Sequence, residues 1–144
     1  TAAQMNDLRG AFRILQVVSG STSTLASSSS TTYVDSGITA TITPQSSSSK
    51  ILVAVAEHLY CSTANTEANV RLVRGSTAIQ SFTSILLNTA GSITGTFSTL
   101  ALDSPATTSA TTYKVQFRSV NNTNSVTVQN DGCNSTLVLM EVTP

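Results

Sequence analysis

Charged side chains are scarce in this sequence of 144 residues: seven basic and seven acidic groups, scattered singly and cancelling to a formal net charge of zero. At 10% of the chain they fall well short of the roughly one quarter expected of a globular protein. Nucleic acid phosphates call for a basic stripe or patch, and residues so dispersed do not build one, so no nucleic acid partner is expected. No apolar run approaches the roughly 20 residues of a membrane-spanning helix, and Thr1 to Gly10 lacks the apolar centre of a secretion signal. No membrane partner is expected either. Tryptophan is absent, and three Tyr and four Phe leave few rings for a sugar-stacking platform. Tyr33, Tyr60 and Tyr113 each fall within a strand pattern and read as core or interface residues.

The scarcity extends to the groups that do chemistry. His58 is the single histidine, and without companion His, Cys or carboxylate ligands it makes a poor metal site. Nucleophilic catalysis needs a Ser or Cys beside a base, and the chain has no G-x-S-x-G elbow. Asp35, Glu57, Glu67, Asp103, Asp131 and Glu141 fall on different expected strands or loops, so the sequence proposes no carboxylate pair for glycoside chemistry. Gly75, Gly91 and Gly95 do not form a phosphate-cradling loop and read as turn residues. Asn-x-Ser/Thr sequons at Asn121 and Asn134 arise easily by chance in so hydroxyl-rich a chain. The expectation is a protein that is not an enzyme, with no catalytic residue, cofactor or metal. Cys61 and Cys133 match no metal-ligand spacing; they read as free buried thiols, with a Cys61–Cys133 disulfide as the lesser alternative, which would add roughly 4 kcal/mol through loop closure.

What the chain has instead is Ser and Thr, roughly a third of its residues. Thr favours strands, and Ser, Asn and Gly favour turns. Period-two alternation recurs: Ile38, Ala40 and Ile42 alternate with Thr39, Thr41 and Thr43, and Tyr113, Val115 and Phe117 alternate with Lys114, Gln116 and Arg118. Val126 and Val128 follow the Asn121–Asn124 turn and read as the second arm of a hairpin. Three segments, Ile14 to Val18, Ile51 to Ala56 and Leu137 to Val142, are apolar on both faces. Such runs read as strands covered on both sides, either within the sandwich or by another subunit. Further strands are expected at Val70 to Arg74, Ala78 to Phe82 and Ile93 to Leu102, with the tracts Ser27 to Ser30 and Ser46 to Ser49 as loops. Eight to ten short strands and no capped amphipathic helix predict an all-β antiparallel sandwich of jelly-roll type. The expected organisation is an N-terminal arm at residues 1–10 and a sandwich at 11–144, its terminal strands adjacent.

Four phrases in order, Ile14 to Val18, Thr31 to Pro44, Ser48 to Val53 and Leu137 to Val142, together resemble the jelly-roll domain of tailed-bacteriophage capsid decoration (cement) and fibre proteins. The likeness runs from Phe12 onward, though Ser62 to Thr112 carry no recognisable signature. It implies a homotrimer of tumour-necrosis-factor-like sandwiches displayed on a virion. Two roles follow: a decoration protein bound to the major capsid protein on the outer capsid surface, or a head or tail fibre domain binding a host glycan or receptor. The short chain and its start at Thr1 read as a whole gene product, which favours decoration. The arm then becomes the capsid-binding element, with Arg9 and Arg13 meeting capsid carboxylates.

Overall fold

The computed structural model describes residues 13–121 and 123–143; the expected arm at 1–10, including Arg9, lies outside them. Ten strands follow in order: β1 Ile14–Thr22, β2 Ala26–Ser28, β3 Val34–Ile42, β4 Lys50–Cys61, β5 Thr66–Arg74, β6 Thr77–Asn88, β7 Ile93–Asp103, β8 Thr111–Ser119, β9 Val126–Val128 and β10 Ser135–Val142. The described residues contain one short 3-10 turn, Asn130–Gly132, and no longer helix. All recorded strand pairs are antiparallel. The second sheet runs β3-β8-β5-β6, and the first runs β1-β10-β4-β9-β2 with β7 also on β4.

The register simplifies the first sheet. β10 pairs Thr136–Val142 with Ala56–Lys50, and β9 pairs Val126–Val128 with Cys61–Leu59, so both lie along one edge of β4. β1 and β2 lie in the same way along β10 and β9. The sheet therefore has four rows: β1/β2, β10/β9, β4 and β7. Every connection between rows crosses from one sheet to the other except β5 to β6, which gives a jelly roll and places the two terminal strands side by side.

Alternation decides which side chains meet between the sheets. Ile51, Val53, Val55, Leu59 and Cys61 of β4 point inward with Leu137 and Leu139 of β10, against Ile38, Ile42, Val70, Leu72, Tyr113, Val115 and Phe117 of the second sheet. The expected faces of β3 and β8 are thus correct. The expected hairpin is not: β8 pairs with β3 and β5 in the second sheet, while β9 pairs with β4 and β2 in the first. Both edges of β8 are already occupied, so Val126 and Val128 enter the core from the opposite side. The three doubly apolar segments are covered by their own chain on one face only; Ile14 and Val17 of β1 remain exposed. The Ser27–Ser30 tract is partly strand, since β2 begins at Ala26.

Three local features close the sandwich. A Cβ on Gly20 would sit 1.9 Å from the Thr39 carbonyl oxygen, so only glycine lets β1 approach β3 this closely. At the end where β1 begins, Glu141 is fully buried and accepts from Gln16 Nε2 (2.6 Å) and the Gln45 amide (2.7 Å), which fixes the β3–β4 loop. Burial works to raise the Glu141 pKa, but these hydrogen bonds outweigh it and hold the carboxyl below its usual range. At the same end, Asp103 of β7 ties the sheets together. It accepts from Arg74 Nη1 at 2.8 and 2.6 Å and from the Tyr113 hydroxyl at 2.6 Å.

Asp103 stands on a strand of the first sheet and its two donors on the second; removing it takes the acceptor from the Tyr113 hydroxyl and leaves Arg74 Nη1 with the Ser104 carbonyl at 3.2 Å. Asp103→Ala is expected to cost about 2–3 kcal/mol, and Tyr113→Phe about 1 kcal/mol, in urea unfolding. Equal stability of Asp103→Ala and wild type would show that the bridge is solvated and adds nothing.

Candidate assembly surface

The outward face of the first sheet follows from the same register. Val17, Met140, Leu52 and Leu102 form one cross-strand row, and Ser19, Val138, Ala54 and Leu100 form the next. Ile14 and Val142 extend the apolar area toward the strand ends. Leu100 is 67% exposed, Leu102 58%, Val17 57% and Ile14 52%. A depression over Ala54, Ser98 and Leu100 lies at its border toward the other end of the strands. Four rows about 4.8 Å apart, followed over about six residues, make an area on the order of 400 Å². Contiguous apolar patches of this size on a monomer's surface commonly mark binding sites.

Farther along the same strands the face changes character. Ser27, Thr127, Tyr60 and Thr94 form a row, and His58 stands beside Thr96. Ser27 and Thr127 bond through their hydroxyls at 3.0 Å. His58 is half-buried on this outer face; its amide donates to Ser135 Oγ (3.0 Å), and its Nδ1 is buried without a partner. Among the described residues no three His, Cys, Asp or Glu side chains gather as metal ligands. The outer face is therefore apolar at the end where β1 begins and hydroxyl-rich at the other.

The outer face of the second sheet is built differently. Lys114 Nζ and Gln116 Nε2 donate to Asp35 at 2.9 and 2.5 Å, and Arg71 Nε donates to Gln116 Oε1 at 2.7 Å. The Arg71 and Arg118 guanidinium carbons lie 4.2 and 4.9 Å from the Tyr33 ring centre. Burial works against the ionised Asp35, but the Gln116 and Lys114 hydrogen bonds and the Lys114 charge outweigh it and hold its pKa below the ordinary value. Lys114, Gln116, Arg71 and Asp35 are joined in one hydrogen-bonded group, and Arg118 Nη1 donates to the Thr31 carbonyl at 3.1 Å. The first sheet presents carbon where the second presents charge.

Of the residues singled out from sequence, Arg13 is exposed at the edge of this apolar area. Its amide donates to Thr143 Oγ1 (3.3 Å), and Thr143 N–H donates back to its carbonyl (3.1 Å). Cys61 and Cys133 are free thiols, the first buried in the core, where burial pushes its pKa up to about 11, and the second half-buried after the Asn130–Gly132 turn. Tyr113 is core, whereas Tyr33 and Tyr60 are half-buried on the two outer faces. Sequence reasoning assigned no residue of the apolar patch as a site. The signal was present as apolarity on both faces of β1, β4 and β10.

No protein-family model matches the sequence, and no curated protein matches it. Among solved structures, one of infectious bursal disease virus, Gt strain, is 14% identical and aligns over 90% of this chain and 38% of that one, with a TM-score of 0.48. The VP2 subviral particle of infectious bursal disease virus is also 14% identical and aligns over 92% of this chain and 39% of that one, with a TM-score of 0.45. The chain thus spans about two-fifths of the length of these proteins. Scores this low assign it to no family, and its fold rests on the strand register above.

Proposed function

We propose that the chain is a virion structural protein: a capsid decoration, or cement, protein that binds the outer surface of a bacteriophage shell as a homotrimer and stabilises it. The observation that carries this reading is the apolar half of the first sheet's outer face. Three of the four strand phrases that resemble phage decoration and fibre domains lie on β1, β4 and β10, the strands that supply most of that half. The occupant we assign to it is another copy of this chain. The area per subunit, on the order of 400 Å², is about half of the roughly 800 Å² that each partner buries in a standard interface. In a ring of three, each subunit's patch meets a different surface of its neighbour, so each subunit takes part in two such contacts and the closed ring is held by three.

A cement protein adds interface across the joints of a finished shell, and its binding energy opposes the outward pressure of packed DNA. No bond need be made or broken. The partner in this reading is the major capsid protein, gripped by the N-terminal segment with Arg9 and Arg13 toward capsid carboxylates. Three such segments on one trimer raise the effective concentration of each and turn weak contacts into firm attachment.

Two measurements test the reading. Wild type is expected to sediment as a trimer. Leu100→Glu with Leu102→Glu removes about 1.5 kcal/mol of burial per side chain, which weakens association on the order of a hundredfold and leaves a folded monomer. A monomeric wild type would end the trimer proposal. In a cryo-EM map of the particle, many copies should cover the shell, and deletion of residues 1–10 should empty those positions without dissolving the trimer. Density confined to the tail would replace decoration by the fibre role, and unchanged shell occupancy after the deletion would move the anchor away from Arg9.

A further inference from the structure

Glu57 occupies a place in the core that alternation reserves for an apolar residue. It follows Ile51, Val53 and Val55 in the inward series of β4 and precedes Leu59 and Cys61, and it is 0% exposed. Three further polar side chains are buried as completely beside it: Ser36, Gln129 and Ser135. Gln129 Nε2 donates to Glu57 Oε1 at 2.6 Å and to Ser135 Oγ at 3.0 Å, and Ser36 Oγ donates to Glu57 Oε2 at 3.2 Å. One side chain thus joins β4 and the β9–β10 row of the first sheet to β3 of the second.

Both sheets are irregular where this cluster sits. In the second, the β3–β8 register shifts by two residues between Asp35 and Thr39, with Gly37 at φ 91°, and the unbroken alternation of β3 keeps Ser36 inward beside Ile38. In the first, the row against β4 breaks between Val128 and Ser135. Gln129 (φ 53°) and Asp131 (φ 55°) are left-handed without being glycine, a strained choice that needs holding in place. Gln129 and Ser135 flank the break, and both are tied to Glu57 or its neighbour: the Gln129 amide donates to the His58 carbonyl at 3.3 Å, and the His58 amide to Ser135 Oγ at 3.0 Å.

We propose that Glu57 is a proton-operated latch on this break: as the neutral acid, its Oε2–H given to the Ser36 hydroxyl while Oε1 accepts from Gln129, it holds the Gln129–Asn134 excursion against the core, and as the carboxylate, a buried charge short of donors, it draws in water and releases the excursion. Among the described residues the Glu57 carboxylate has two donors, Gln129 and Ser36, too few for a buried charge, and no cation pairs with it. Asp35, on the packed strand β3, turns outward to Lys114, and Asp131 in the excursion is exposed and accepts from Asn130. Outward-facing His58 is its neighbour on β4. Burial raises the Glu57 pKa from 4.5 to about 8, a shift that the Gln129 and Ser36 hydrogen bonds reduce but do not cancel. A folded-state pKa above the unfolded value means that the proton-linked stability is fully present below about 4.5 and is lost as pH rises through about 8. The latch is therefore shut at neutral pH and opens in mild alkali. The proton leaves to solvent, and the strained excursion follows it outward. This inference does not depend on the capsid reading.

The test is amide hydrogen exchange of the full-length protein at pH 6.5 and pH 9, with Glu57→Gln measured beside wild type so that intrinsic rates cancel. At pH 9 the amides of residues 129–135 in wild type should exchange at least tenfold faster than in Glu57→Gln, and those of β5 and β8 should not differ. At pH 6.5 the two proteins should agree. Equal exchange at pH 9 overturns the proposal. Carbon-detected titration of the wild-type Glu57 carboxyl reads the same claim should the variant not fold: a midpoint near 8 supports the latch, and one near 4.5 overturns it.

Discussion

The strand β4 is hydrogen-bonded along both edges, and its twelve residues set the register of the whole first sheet. A side-chain period of two leaves it no freedom. Ile51, Val53 and Val55 enter the core only if Leu52 and Ala54 turn outward, and a slip of one residue would exchange the two sets. Because β10 and β7 are registered on β4, their own outward residues, Val138, Met140, Leu100 and Leu102, are carried to the same outer face. The core and the candidate assembly surface are two sides of one hydrogen-bonded ladder. A substitution on the outer side can therefore change association while leaving the packing between the sheets untouched.

Legibility in the sequence followed from how much of each strand's environment is local. Tyr113 to Arg118 alternates cleanly because one face meets the core and the other water, and each of its six residues lies on the side its pattern indicates. The jelly-roll class, the adjacency of the terminal strands and the absence of longer helices among the described residues were legible for the same reason. The hairpin expectation failed because a turn sequence does not record that both edges of β8 were already paired. β2 was hidden in a serine tract, since it forms to complete the edge of β9 and its own side chains give no strand signal. The apolar patch was half legible. Periodicity showed that β1, β4 and β10 were apolar on both faces, but it does not distinguish cover by the same chain from cover by another. Glu57 was not legible as a core residue, because β4 extends five residues beyond the apolar run Ile51 to Ala56.

The shortage of charge takes on meaning once the charged residues are placed. Glu57 and Glu141 are buried, and Asp103 is committed to Arg74 and Tyr113. Arg71, Lys114, Arg118 and Asp35 gather on the outer face of the second sheet. The outer face of the first sheet is left with Lys50 and Arg13 at its rim and hydroxyls over its polar half. Threonine suits that place. It keeps the strand preference of a β-branched residue, wets the surface, and bonds across strands, as Thr41 does with Thr112 at 2.8 Å on the opposite sheet. A charged residue would wet the surface equally well, but copies gathered about a common axis would bring like charges together, at a cost that rises as water is excluded. Hydroxyls carry no such penalty. In the proposed trimer, an outer face that is soluble before assembly and dry afterwards is better served by Ser and Thr than by Lys and Glu, and under that proposal the composition and the apolar half-face answer one requirement.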